Sequence, residues 1–136
     1  MKIDVSLGEV VDKLSILYIK KQKITDPEKR YHVLKEWNGI VENVKIYIEK
    51  DWVTPVEYHM KQLIHINEKI WNEEDNLRNS PDDTLVQVCK TIQRENDARC
   101  RIKRKINVVT SDAMQEQKSY DTKELLIIPI LEWGTK

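Results

Sequence analysis

Apolar residues recur at every third or fourth position over four stretches of the chain, and each stretch is announced by a capping residue or a proline. Ser6 followed by Glu9 is a capping box, and Leu7, Val10, Val11, Leu14, Leu17, Tyr18 and Ile24 continue at helical spacing, which predicts a first helix near 7–24. Asp26-Pro27 stops it and opens the next. With Asp26 as N-cap and Pro27 at the first helical position, Val33, Leu34, Trp37, Ile40, Val41, Val44 and Ile48 form the stripe of a second helix to about Glu49. After a turn at Asp51, the set Thr54, Pro55 and Glu57 repeats that logic. It predicts a third helix with Val56, Met60, Leu63, Ile64, Ile70, Trp71 and Leu77, ending near Asn79. Ser80, Pro81 and Asp83 give the signal once more, for a fourth helix carrying Leu85, Val88, Ile92, Ile102, Ile106 and Val109 to about Val108.

Short connections make consecutive helices antiparallel neighbours. The expectation is therefore an all-α domain over 1–120, four main helices as two antiparallel hairpins, closed as a bundle or completed by dimerisation. Ser111 to Tyr120 can add one short helix. The remainder, 121–136, reads as an extended apolar C-terminal arm: Leu125 to Trp133 is dense in aliphatic side chains, and Pro129 breaks a helix there. So apolar an arm needs cover, on the bundle or on a second subunit, and a homodimer or higher homo-oligomer is expected.

Composition narrows the function classes. A chain of 136 residues supports one core. Its 23 basic and 23 acidic residues balance, so no overall field favours nucleic acid or an anionic membrane, and any anion site must be local. No run approaches the roughly 18–20 apolar residues of a membrane span and MKIDVSLGEV lacks the apolar core of a signal peptide, so a cytoplasmic protein is expected. Cys89 and Cys100 fall on one predicted helix, about 16 Å apart, too far for a bridge; they are expected to be small buried apolar groups.

The informative positions are polar residues where the stripes call for apolar ones. Down the third helix the count runs Val56, Met60, Leu63, Asn67, Ile70, Glu74, Leu77; down the fourth, Leu85, Val88, Ile92, Asn96, Arg99, Ile102, Ile106. Asn67, Glu74, Asn96 and Arg99 thus interrupt the expected core, with Arg78 and Lys103 beside them. Glu9, Asp12, Lys13 and Lys20 occupy a face next to the leucines of the first helix. Buried charge is costly unless paired, so such a layer needs a reason. One reason is a register-setting network, such as Glu74 with Arg99. The other is a ligand site: Lys13, Arg78, Arg99 and Lys103 holding phosphate or carboxylate, Asn67 and Asn96 reading polar edges, Trp71 stacking on a ring.

The segments SLGEVVDKLSILYIK, DPEKR, INEKIWNEEDNLR, ENDARCRIKRKIN and QEQKSY, in this order, resemble the successive motifs of a family of small helical proteins from bacteria and tailed phages, a domain of unknown function. The resemblance spans roughly 3–120 and supplies no activity; the tail after Asp121 departs from it. It implies that Glu9, Asp12, Lys13, Trp71, Glu74, Asp75, Asn96, Asp97, Arg99, Lys103, Lys118 and Tyr120 are motif residues, which adds Lys118 and Tyr120 to the candidate ligand set.

Enzyme readings find little. Glu73, Glu74 and Asp75 with Glu95 and Asp97 only loosely approximate the acidic clusters of an all-α Mg²⁺-dependent nucleotide pyrophosphohydrolase. None of His32, His59 or His65 has Glu three positions before it, as a di-metal carboxylate bundle requires, and two distant cysteines make no zinc quartet. The histidines are expected at the surface or half-buried. The basic run Arg94 to Lys105 points around the whole helix, which reads as a solvated face plus one inward Arg.

The sequence therefore leads to a non-enzymatic protein without cofactor or metal that binds a small anionic, nucleotide-like ligand between helices; in a phage this would suit sequestration of a host-defence nucleotide signal. The rival is an oligomeric scaffold or adaptor whose polar layer is structural.

Overall fold

The computed structural model describes residues 3–116, with side chains to Thr110; the expected arm at 121–136 and the candidates Lys118 and Tyr120 lie outside the described residues. The architecture is an all-helical bundle of four helices: α1 (Leu7–Lys23), α2 (Pro27–Tyr47), α3 (Val53–Asn79) and α4 (Leu85–Glu116), with 3-10 turns at Lys50–Trp52 and Asp82–Thr84. No strand occurs among the described residues, and no helix among them is long and apolar enough to cross a membrane.

Two caps form as the sequence specifies. Ser6 Oγ accepts the Glu9 amide at 3.2 Å, and an Asp26 carboxylate oxygen accepts the Lys29 amide at 3.0 Å with Pro27 in the first turn. The other two expected caps are corrected. α3 starts at Val53, directly on the 3-10 turn before it, so Thr54 is already helical and caps nothing. Ser80 Oγ donates back to the Asn76 carbonyl instead of capping α4, which begins only after the 3-10 turn at Asp82–Thr84. In both places the turn supplies the backbone bonds that a side chain would otherwise make: Trp52 N–H to the Glu49 carbonyl and Thr84 N–H to the Pro81 carbonyl, each 3.0 Å. α4 also runs unbroken to Glu116, so the separate short helix expected from Ser111 is, as far as Glu116, the end of α4.

α1 is the shared neighbour. α2, α3 and α4 all pack against it, and α3 packs along α4. One apolar cluster draws on all four: Leu7, Val11, Leu14 and Leu17 of α1, Val33, Trp37, Val41 and Val44 of α2, Val56, Met60 and Leu63 of α3, Ile102 and Ile106 of α4. Each fully buried Leu, Met or Ile here contributes about 1.5–3 kcal/mol.

A shared helix must be buried on more than one side, and the sequence of α1 shows how. Besides its leucine stripe it buries Gly8, Asp12 and Ser15, a second flank of small and polar residues. At Gly8 the α4 backbone comes so close that a Cβ would lie 2.4 Å from the Lys103 carbonyl oxygen and 2.9 Å from Asn107 Oδ1. That same Asn107 oxygen accepts the Gly8 N–H at 2.8 Å, one of the first-turn donors that a helix leaves unpaired.

The cysteines are not buried: both are free and exposed. Eleven residues are close to three helical turns, so Cys89 and Cys100 share one flank of α4, and that flank faces solvent. His32 and His65 are exposed and His59 is half-buried, as the sequence suggests.

Candidate functional site

Where the second flank of α1 meets α3 and α4, the polar interruptions assemble around Asp12, whose side chain is only 4% exposed. Arg99 of α4 reaches it with two parallel hydrogen bonds, Nε to Oδ1 at 2.8 Å and Nη2 to Oδ2 at 2.5 Å. Asn67 of α3 adds a third, Nδ2 to Oδ1 at 3.0 Å, and gives its other amide hydrogen to Ser15 Oγ at 2.8 Å. Ser15 Oγ in turn donates to the Asp12 carbonyl at 2.6 Å. The fork of Arg matches the two oxygens of a carboxylate, and its grip on Asp12 raises the Arg99 guanidinium above its ordinary value, against the opposing effect of burial.

Next along α1, Glu9 pairs with Lys103 of α4 at 2.6 Å. Lys103 is mostly covered while Glu9 stays largely in water, with side-chain exposures of 18% and 54%. Glu9 and Asp12 lie three apart on α1 and Arg99 and Lys103 four apart on α4, so the two charge pairs sit side by side along the α1–α4 interface, with the Gly8–Asn107 hydrogen bond beyond Glu9.

The expected ligand residues therefore divide. Asn67, Arg99 and Lys103 lie at this junction. Lys13 turns to the other side of α1, where it pairs with Glu36 of α2 at 3.0 Å, both in solvent. Arg78 is exposed near the end of α3 and bridges Asp75 one turn back. Glu74, expected to interrupt the core and to hold Arg99, is exposed on α3, and the partner of Arg99 is Asp12. The error is one of phase: the buried positions of α3 stop at Ile70, and counting on to Glu74 assumes a core that has already ended. Trp71 and Asn96 are half-buried.

Each described cation expected to hold an anion thus already carries a carboxylate: Lys13 with Glu36, Arg78 with Asp75, Arg99 with Asp12, Lys103 with Glu9. Asp12 is the central residue that the ligand reading left out of its set. Its signal was an Asp and a Ser at Asp12 and Ser15 amid Val11, Leu14 and Leu17.

Two grooves lie elsewhere, and none of the expected ligand residues among the described ones lines either. One, about 580 Å³, is formed by the N-terminal segment, α1 and α2, through Ile3, Val5, Val10, Ile40 and Tyr47 among others. The other, about 450 Å³, lies between α3 and α4 and is lined by His59, Arg101, Arg104, Lys105, Val108 and Val109. Among the described residues no three His, Cys, Asp or Glu side chains come together as a metal site. No protein-family model, curated protein or solved structure matches the chain.

Proposed function

We propose that the protein is a non-enzymatic helical scaffold or adaptor, its helices paired as two antiparallel hairpins and its polar layer serving as the device that sets their register. The observation supporting this reading is the closed state of the layer: Asp12 takes hydrogen bonds from both Arg99 and Asn67, and Asn67 spends both amide hydrogens within the layer. A buried polar group that is satisfied only in one alignment of three helices selects that alignment.

The docking surface of such a scaffold is the groove of α1 and α2. Ile3, Val5 and Tyr47 along it are 75%, 55% and 55% exposed, an unusual amount of apolar side chain to leave in water side by side. We assign its occupant as the Leu125–Trp133 arm. Gly8 bonds Asn107, so the C-terminal part of α4 lies at the end where α1 begins, the end that carries the groove. From Glu116 the eight residues to the arm span up to about 28 Å when extended. An arm supplied by a second copy makes the protein a dimer.

The anionic-ligand reading of the same layer requires Arg99 and Lys103 to exchange Asp12 and Glu9 for the ligand. Native mass spectrometry of the purified protein, with and without a nucleotide panel, tests the two against each other. The scaffold is supported by a wild-type layer that carries nothing and by loss of stability in Arg99→Ala. A stoichiometric phosphorylated molecule that is lost in a folded Asp12→Asn/Arg99→Gln variant overturns it.

A further inference from the structure

The flank of α4 turned away from α1 carries a different balance of charge. Arg101, Arg104, Lys105, Val108 and Val109 fall at helical spacing and line one cavity of about 450 Å³ with His59 of α3. None of the three cations pairs with a carboxylate among the side chains described, whereas Arg99 and Lys103, on the α1 side of the same helix, both do. Arg101 and Arg104 are three apart and Arg101 and Lys105 four apart, spacings at which like charges repel along a helix. A chain of balanced charge thus keeps an uncompensated cationic cluster at one cavity.

The cavity is not simply a charged surface. Val108 and Val109 give it an aliphatic part, and its volume falls in the range of small-molecule sites, far more than a bare phosphate fills. The His59 ring, held by a 2.9 Å contact from Nδ1 to Gln62 Oε1, forms the α3 side. Arginine forks suit phosphate oxygens, and aliphatic walls suit the organic part beside them.

We propose that this cavity, lined by His59, Arg101, Arg104, Lys105, Val108 and Val109, is a binding site for a phosphorylated small molecule: its phosphate on the three cations, its apolar portion over the valines. The site is separate from the polar layer and independent of the scaffold reading. The shared chemistry, a phosphate ester with an apolar part, also occurs in lipid headgroups; the zero net charge of the chain favours the free molecule over a membrane surface.

The test is titration of the full chain with 1-naphthyl phosphate, followed by amide NMR shifts, with inorganic phosphate, 1-naphthol and vesicles of phosphatidylcholine with phosphatidic acid as separate arms. Saturable shifts at His59 and along 101–109 are expected. Naphthyl phosphate should bind about tenfold or more tightly than inorganic phosphate or naphthol, and Arg104→Gln/Lys105→Gln should weaken it about tenfold. Both residues are exposed and without a described partner, so this variant should keep the wild-type melting temperature. The same binding should persist in Asp12→Asn/Arg99→Gln, which separates this site from the polar layer. Equal affinity for phosphate and naphthyl phosphate, shifts scattered over every basic residue, indifference to the double substitution, or binding to vesicles alone would each overturn the proposal.

Discussion

Arg99 holds Asp12 through both carboxylate oxygens across the α1–α4 interface, with Asp12 almost wholly buried and the outer edge of Arg99 in water, at side-chain exposures of 4% and 27%. Removing one member of a buried pair strands the other, so Arg99→Ala should destabilise by roughly 3 kcal/mol, the low end for such pairs because Arg99 is partly solvated. Asp12→Asn/Arg99→Gln removes both charges but keeps an acceptor for Asn67 and should recover at least half of that loss. Urea unfolding of Asp12→Asn, Arg99→Gln and the double variant gives the coupling, expected near 2 kcal/mol. A coupling near zero would mean that the pair does not hold the helices.

Much of the fold was legible because its signals are local. Ser6, Asp26 and Pro27 act within one turn, and the stripes of α1 and α2 stay in phase with their burial. The site was half legible. Asn67 and Arg99 stand out as polar residues at core positions, but which carboxylate meets Arg99 depends on α1 packing between α3 and α4, a long-range fact without a local trace. Glu74 was misread for the same reason: periodicity shows which residues share a face, not where along α3 the neighbouring helix stops covering it. Cys89 and Cys100 failed in the opposite sense, since small apolar character alone does not place a residue inward.

Gly8 and Gly39, each inside a described helix, should respond oppositely to alanine. At Gly8 a Cβ meets the Lys103 carbonyl at 2.4 Å, a backbone atom that cannot step aside without moving α4. Gly8→Ala should cost about 1–3 kcal/mol despite the better helix propensity of alanine, and should loosen the neighbouring Glu9–Lys103 pair. At Gly39, within α2, nothing lies within 4 Å of the added atom, so Gly39→Ala should stabilise by about 0.5–1 kcal/mol. Thermal unfolding of both variants checks the pair. A stabilised Gly8→Ala would mean that α1 and α4 are not in close contact.

Lys21 is 6% exposed and has no carboxylate partner among the described residues; the Arg30 guanidinium donates to its backbone carbonyl. Burial pushes the Lys21 ammonium below its usual value, and the nearby Arg30 charge adds to this. Since the folded state holds this proton more weakly than the unfolded chain, the charge weakens the fold at neutral pH, and the penalty fades as pH rises through the lowered value towards 10.5. Lys21→Met keeps the aliphatic stem and removes the charge. It should raise the melting temperature at pH 7, with a gain over wild type that shrinks by pH 10. A gain independent of pH would assign the effect to packing instead.

The groove of Ile3, Val5, Val10, Ile40 and Tyr47 makes a prediction about the residues beyond Glu116. With the Leu125–Trp133 arm seated there, a chain ending at Thr122 should bare the groove and bind more of an apolar dye such as ANS, while its far-ultraviolet circular dichroism stays helical. Tyr47→Asp sets a charge against the arm in the full chain and should raise dye binding in the same way; because the 55% exposed Tyr47 ring also packs on buried Trp52 at 5.7 Å, Tyr47→Asp in the truncated chain, with no arm left to displace, is the control and should add no further dye binding. Light scattering on the same samples tells where the arm comes from. A mass that falls by half on truncation means the arm is exchanged between two copies, and a constant mass means that each chain covers its own groove. Dye binding unchanged by both alterations would show that the arm does not occupy this groove, and the apolar side chains along it would then need another partner.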